Sequence, residues 1–415
     1  MAETEFDLFT LPNGIRCVHR RPRGGRAASV AHIALTIGAG TRDEAADQHG
    51  VAHLVEHLMF KGTARRSAWQ VNSLLENSGG ELNAFTTKEE TVVHATLLRS
   101  EFSKGVDLLS DMAFNSRFDS RELDKEREVI IDEINSYKDS PAELIFDEFE
   151  ELLFAGSPLG RNILGSKRNL KRAVREQLVA YVQGHYRPEQ VVFSASVQMS
   201  HQRFREVCGK YLGQLAVPAG GVPQKRTAPQ RQPKFEIRRH KNTYQTHCLI
   251  GGYGYDLNDE KRVLLAFLIH ILGGPSSVSR LNMQLREKHA LTYNVEAGYV
   301  PYSDSGVYTI YLGCDRDKLD RSVELVRAEL RKLRETKLTT LQLARAKKQF
   351  IGQLAISSEN TENLMLGIAK SVLVYNAFDS TAEIAAKIGA ITAEELQETA
   401  CEIFSEENQY SLIYQ

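Results

Sequence analysis

His53, Glu56 and His57 stand together in the run Gly50-Val51-Ala52-His53-Leu54-Val55-Glu56-His57-Leu58-Met59-Phe60-Lys61-Gly62. On a helix, two residues four apart leave the same face one turn from each other, so the two imidazoles project side by side. Glu56, three residues from His53, borders that face. Val51, Ala52, Leu54, Val55, Leu58, Met59 and Phe60 fill most of the remaining circumference. A helix that is apolar nearly all round is a buried one, and polar groups inside protein need partners. Gly62 can supply the left-handed residue that ends the helix. The chemistry on offer is metal-assisted: two imidazoles hold Zn²⁺, and the glutamate takes a proton from water that the metal activates.

The spacing H-x-x-E-H is the inverted zinc-protease motif. The next stretch of chemical interest is 121–138. Its helical pattern places Val129, Ile130 and Ile134 on an apolar stripe, while Glu126, Ile130, Glu133 and Tyr137 share a face. A carboxylate on that buried flank is costly unless it is paired or binds a metal. Taken alone, Glu133 reads first as part of a solvated helix face. Pro141 is expected to stop this helix.

The elements that position these residues need room. At 415 residues the chain suits two domains of about 200 residues each. Hydrophobic residues at 42% and charged residues at 25% are ordinary for a soluble globular protein. The formal net charge of -1, with no block of like charge, points to neither nucleic acid nor a membrane surface. No apolar run is long enough to span a bilayer. The acidic start, Met1 to Asp7, reads as neither a secretory signal nor a transit peptide. Five scattered cysteines without metal spacing fit a reducing compartment, so a cytoplasmic protein is expected.

Along the chain, a hairpin turns at Pro12-Asn13-Gly14, and a strand over 31–37 leads to the metal helix. Two strands flank a polar turn at 81–87 and 91–96. The stretch 218–233, with Gly220, Gly221, Pro223 and Pro229, has linker composition. The expected domains are therefore 1–217 and 234–415. The second half repeats the layout of the first. Gly62 and Gly274 align at an offset that carries His53 to Leu265, Glu56 to Leu268 and His57 to Ile269. The second copy keeps the apolar helix without the ligands, so packing did not require histidine in the first. Two similar α+β domains, each a mostly antiparallel sheet flanked by helices, is the expected fold class.

HLVEH, REVIIDEI, GGELNAFTT and LREKHALTY together resemble the M16 peptidases, inverted-motif zinc metallopeptidases that include the mitochondrial processing peptidase. The resemblance covers essentially the whole chain, and its length matches the two-domain subfamily. It implies His53 and His57 as zinc ligands, Glu133 as the third ligand, Glu56 as catalytic base and Glu126 as a supporting acid. It implies an edge strand with Asn83, Ala84, Phe85 and Thr86 along which an extended peptide lies, by main-chain pairing. Arg286 and Tyr293 match the family's Arg/Tyr pair, which stabilises the tetrahedral intermediate. The activity implied is endopeptidase cleavage in an enclosed chamber, by a homodimer whose Arg/Tyr pair crosses the interface. A non-catalytic scaffold or peptide-docking subunit is the alternative expectation.

Overall fold

The computed structural model describes residues 5–22, 29–215 and 226–415. The chain forms two compact units, each assembled from separate stretches. The first comprises Met1–Ile134, Asn162–Lys225 and Ile356–Phe378; the second comprises Asn135–Arg161, Arg226–Ala355 and Asp379–Gln415.

The first unit holds strands β1 (Phe6–Thr10), β2 (Arg16–Arg20), β3 (Val30–Ile37), β4 (Glu81–Thr86), β5 (Thr91–Leu98) and β6 (Val191–Ser196). They form one sheet in the order β1-β2-β6-β3-β5-β4. The pair β2 and β6 is parallel; the other neighbours are antiparallel. Side chains alternate between faces along a strand. Val191 and Phe193 therefore enter a large core shared with Leu54, Leu58 and Met59 of the helix Val51–Met59. Val192, pointing the other way, meets Val18 and the late helix Thr361–Tyr375 through Ile368, Ala369 and Val372. Arg16 Nη1 donates to the Val372 carbonyl at 2.7 Å, and His94 Nδ1 lies 2.7 Å from Glu362 Oε1.

The second unit holds β7 (Glu236–Arg239), β8 (Thr246–Tyr253), β9 (Thr292–Pro301), β10 (Gly306–Cys314) and β11 (Tyr410–Tyr414), in the order β7-β11-β8-β10-β9. Again one pair, β7 with β11, is parallel. Taken in chain order, β2 to β6 and β7 to β11 have the same spatial order and the same directions. The expected duplication is present, with β1 as an extra strand on the first sheet. The helix Arg262–Gly273 packs Leu265, Leu268 and Leu272 on one face of the second sheet. Ile145, Phe149 and Leu153 of the helix Pro141–Leu153 meet Leu249 and Leu412 on the other.

The compact units differ from the expected domains, 1–217 and 234–415. The units are not separated by a single cut, because 135–161 belongs to the second and 356–378 to the first. The cause is apolar: each segment carries a helix whose buried stripe covers an otherwise bare sheet face. The linker expected at 218–233 lies outside the described residues over 218–225. Pro141, besides ending one helix, begins the next, with Ser140 as its N-cap residue. Proline is well placed there, since its missing N–H would have had no helical partner. Among the described residues no helix is long and apolar enough to cross a membrane.

Candidate metal centre

The helix Val51–Met59 starts at Gly50, whose φ of +106° is left-handed. Gly50 has no side chain to cap the first amides. Glu44 does so instead: its carboxylate accepts from Gly50 N at 3.0 Å and Ala52 N at 2.7 Å. A carboxylate at a helix N-terminus also opposes the positive end of the helix dipole. The same turn is held by His49 Nε2, 2.6 Å from the Asn162 carbonyl.

His53 is buried, and its ring lies 4.6 Å from that of His57 at 72°. Burial, aided by the neighbouring His57, pushes the His53 imidazole down to about 3. It is therefore neutral at neutral pH, with a lone pair to offer. The helix Ser120–Lys138 brings in Glu133, whose Oε2 lies 4.0 Å from His53 Nε2 and 3.9 Å from His57 Nε2. All three donor atoms fall within 4.8 Å of one another. Such separations are too long for hydrogen bonds.

Two helical turns earlier on the same helix, Glu126 is buried. Its Oε2 lies 3.1 Å from His57 Nδ1 and its Oε1 lies 2.8 Å from Lys61 Nζ. A carboxylate at Nδ1 makes that nitrogen the donor and leaves Nε2 as the free lone pair toward Glu133. His53 Nδ1 is buried with no hydrogen-bond partner among the described residues. Two imidazole nitrogens and one carboxylate oxygen, none spent on another, are a donor set that fits zinc with a coordination position left open.

Glu56 borders these three donors. Burial pushes its carboxyl up, and the polar groups of Thr86 beside it offset part of that rise. Among the described residues neither Glu56 Oε2 nor Thr86 Oγ1 completes a hydrogen bond. Thr86 ends β4, which pairs with β5 alone among the described strands and so forms the open edge of its sheet. Along that edge Asn83 and Phe85 are exposed, Ala84 is half-buried, and Asn83 Oδ1 accepts from the Ala84 amide at 2.9 Å.

Arg286 and Tyr293 belong to the second unit. Arg286 lies on a π-helical stretch, Asn282–Lys288, and pairs with Glu287 at 3.0 Å. Tyr293 is the second residue of β9 and is 87% exposed. Both line a cavity of about 310 Å³ with Asn282, Gly274 and Pro275. The positions that repeat the ligand helix, Leu265, Leu268 and Ile269, are buried in the second core. Sequence reading missed Glu44 and Lys61. An acid just ahead of the helix, and a cation four residues past His57 on the stripe 53-57-61, were the available signals.

Residues 26–167 match the family described as insulinase (peptidase family M16), and residues 172–350 match the one described as peptidase M16 inactive domain. Over 408 residues the chain is 31% identical to an uncharacterized zinc protease, YmxG, of Bacillus subtilis, covering 98% of this chain and 97% of that protein. The chain belongs to peptidase family M16. A second M16 relative, an uncharacterized zinc protease of Streptomyces coelicolor, is 31% identical across 97% of this chain and 88% of its own. In fold the chain is similar to a protease from Helicobacter pylori, with TM-score 0.90, 19% identity and 99% of each chain covered. It is similar also to a peptidase M16 inactive domain from Pseudomonas fluorescens, with TM-score 0.89, 18% identity and 99% and 98% covered. Zinc is the cofactor of this family, in accord with the donor set at His53, His57 and Glu133.

Proposed function

We propose that this M16 protein is a zinc-dependent endopeptidase in which His53, His57 and Glu133 hold the metal and Glu56 is the base. The observation that carries the reading is the convergence of His53 Nε2, His57 Nε2 and Glu133 Oε2, with the buried, unpartnered Glu56 Oε2 next to them. When bound, zinc supplies a Lewis acid that makes water acidic near neutral pH and polarises a peptide carbonyl. Glu126 accepts the Nδ1 proton of His57 and so orients its Nε2.

A peptide in extended form pairs with the open edge of β4, at Asn83 to Thr86, and is thereby led past Glu56. Glu56 takes the proton of the attacking water and later returns it to the leaving amine. A raised carboxyl suits both halves of that cycle, because a base that is too weak an acid, or the reverse, serves only one of them. Tyr293 and Arg286 of a second copy donate to the developing oxyanion. The assembly is a homodimer enclosing a chamber, in the manner of the processing-peptidase branch of the family. The five cysteines, all free thiols, favour a reducing, cytoplasmic setting.

The test is cleavage of a quenched-peptide library by the purified full chain, with zinc content and solution mass measured on the same sample. Chelator-sensitive cleavage and one zinc per chain are expected. Folded protein that takes up no zinc sinks the metal reading. Zinc-loaded protein that cleaves nothing indicates the scaffold or peptide-docking role instead.

A further inference from the structure

We infer that Lys61 is a positioning residue of the metal centre, acting through Glu126 on His57. The inference rests on the zinc assignment above and extends it to a side chain outside the ligand set. Lys61 follows directly on the ligand helix, its amide held to the Leu58 carbonyl at 3.1 Å. It stands four residues beyond His57 and two past Met59, the last residue of that helix, and both side chains reach Glu126. Glu126 is gripped at both oxygens: Oε1 by Lys61 Nζ at 2.8 Å, Oε2 by His57 Nδ1 at 3.1 Å. A carboxylate held in this way cannot turn without breaking one contact.

An ion pair on open surface contributes little. Here the acid is buried, with 8% of its side chain exposed, while the lysine side chain is 34% exposed. Removing the lysine leaves a buried carboxylate with the His57 imidazole as its remaining partner among the described residues and frees it to rotate away from Nδ1. The His57 ring then loses the support that aims Nε2 at the metal.

The experiment measures zinc affinity by chelator competition, with far-UV circular dichroism and thermal midpoints of the metal-free proteins alongside. Lys61→Met should weaken zinc binding about 10-fold, the lower end of the range for outer-sphere partners of metal ligands, with the far-UV spectrum of the metal-free protein unchanged. Lys61→Arg, which keeps a cationic donor toward Glu126 Oε1, should recover most of the affinity. In a Glu126→Gln background, Lys61→Met should have no further effect. Parent-like affinity of Lys61→Met, an arginine variant as weak as the methionine one, or an undiminished loss in the Glu126→Gln background each overturns the inference. Absence of zinc binding by the parent protein would instead overturn the zinc assignment itself.

Discussion

Glu133 Oε2 lies 3.9 Å from His57 Nε2, although the two residues sit on different helices and share no hydrogen bond. That spacing is too long for a hydrogen bond and suits the proposed zinc between them. The Glu133 side chain is 46% exposed, so its removal costs the fold little. Glu133→Ala should leave the metal-free protein within about 0.5 kcal/mol of the parent. Its zinc affinity should fall by more than about 100-fold, beyond the usual loss of an outer partner. Urea unfolding of metal-free samples and chelator competition check the two halves.

Glu56 lies beside the proposed ligands and outside the group His53, His57 and Glu133. Glu56→Gln should therefore keep one zinc per chain while losing peptide cleavage by about 10²- to 10⁴-fold, the usual contribution of a general base. Metal analysis and initial rates on one preparation decide it; cleavage at the parent rate would remove Glu56 from the mechanism.

Glu44 holds the start of the ligand helix from inside the protein, accepting two amides through a buried carboxylate. Glu44→Ala should cost about 2–3 kcal/mol, the sum expected for charge-assisted caps left empty. Glu44→Gln, which keeps one acceptor oxygen, should fall between parent and alanine variant. Chemical denaturation gives both values, and an alanine variant as stable as the parent would show that the cap does not hold the helix.

A shared active site can be tested by mixing. A Glu56→Gln chain and a Tyr293→Phe chain, each inactive by itself, should regain part of the activity as a heterodimer. One site would then draw an intact base from one chain and an intact tyrosine from the other. Confirmed heterodimers without any recovery would rule out sharing across copies.

His19 offers a pH-dependent test away from the metal. It is fully buried, with Nε2 3.0 Å from the Val197 carbonyl and Nδ1 2.7 Å from His201 Nδ1. Burial is the main force that pushes it down to about 4. With the folded value below the unfolded one, the unfolded chain binds the extra proton. Stability is thus fully present above about pH 6.5 and declines as pH falls toward 4. Between pH 7 and pH 4.5 the parent should lose about 2–3 kcal/mol more than His19→Gln, which cannot titrate. Denaturation curves at the two pH values measure that difference.

Much of the site was readable along the chain. His53, Glu56 and His57 lie within one and a half helical turns, and their spacing places them on one face whatever else the protein does. The repeat was readable too, because Leu265, Leu268 and Ile269 show what the same helix looks like when it only packs. Glu133 was a different matter: read by itself it suited a solvated face, and nearly half of its side chain does face solvent. Nothing local to the helix Thr361–Tyr375 said that Ile368, Ala369 and Val372 would cover Val18 and Val192, far back in the chain.

Sequence alone determined the ligand helix, its two imidazoles and the doubled sheet plan, because helical and strand periods are short-range and repeat within a few residues. Tertiary structure decided which carboxylate meets those imidazoles, which side chains support them, and which helix covers which sheet. Those outcomes depend on where buried apolar stripes find complementary faces, and that choice is made between segments far apart in the chain.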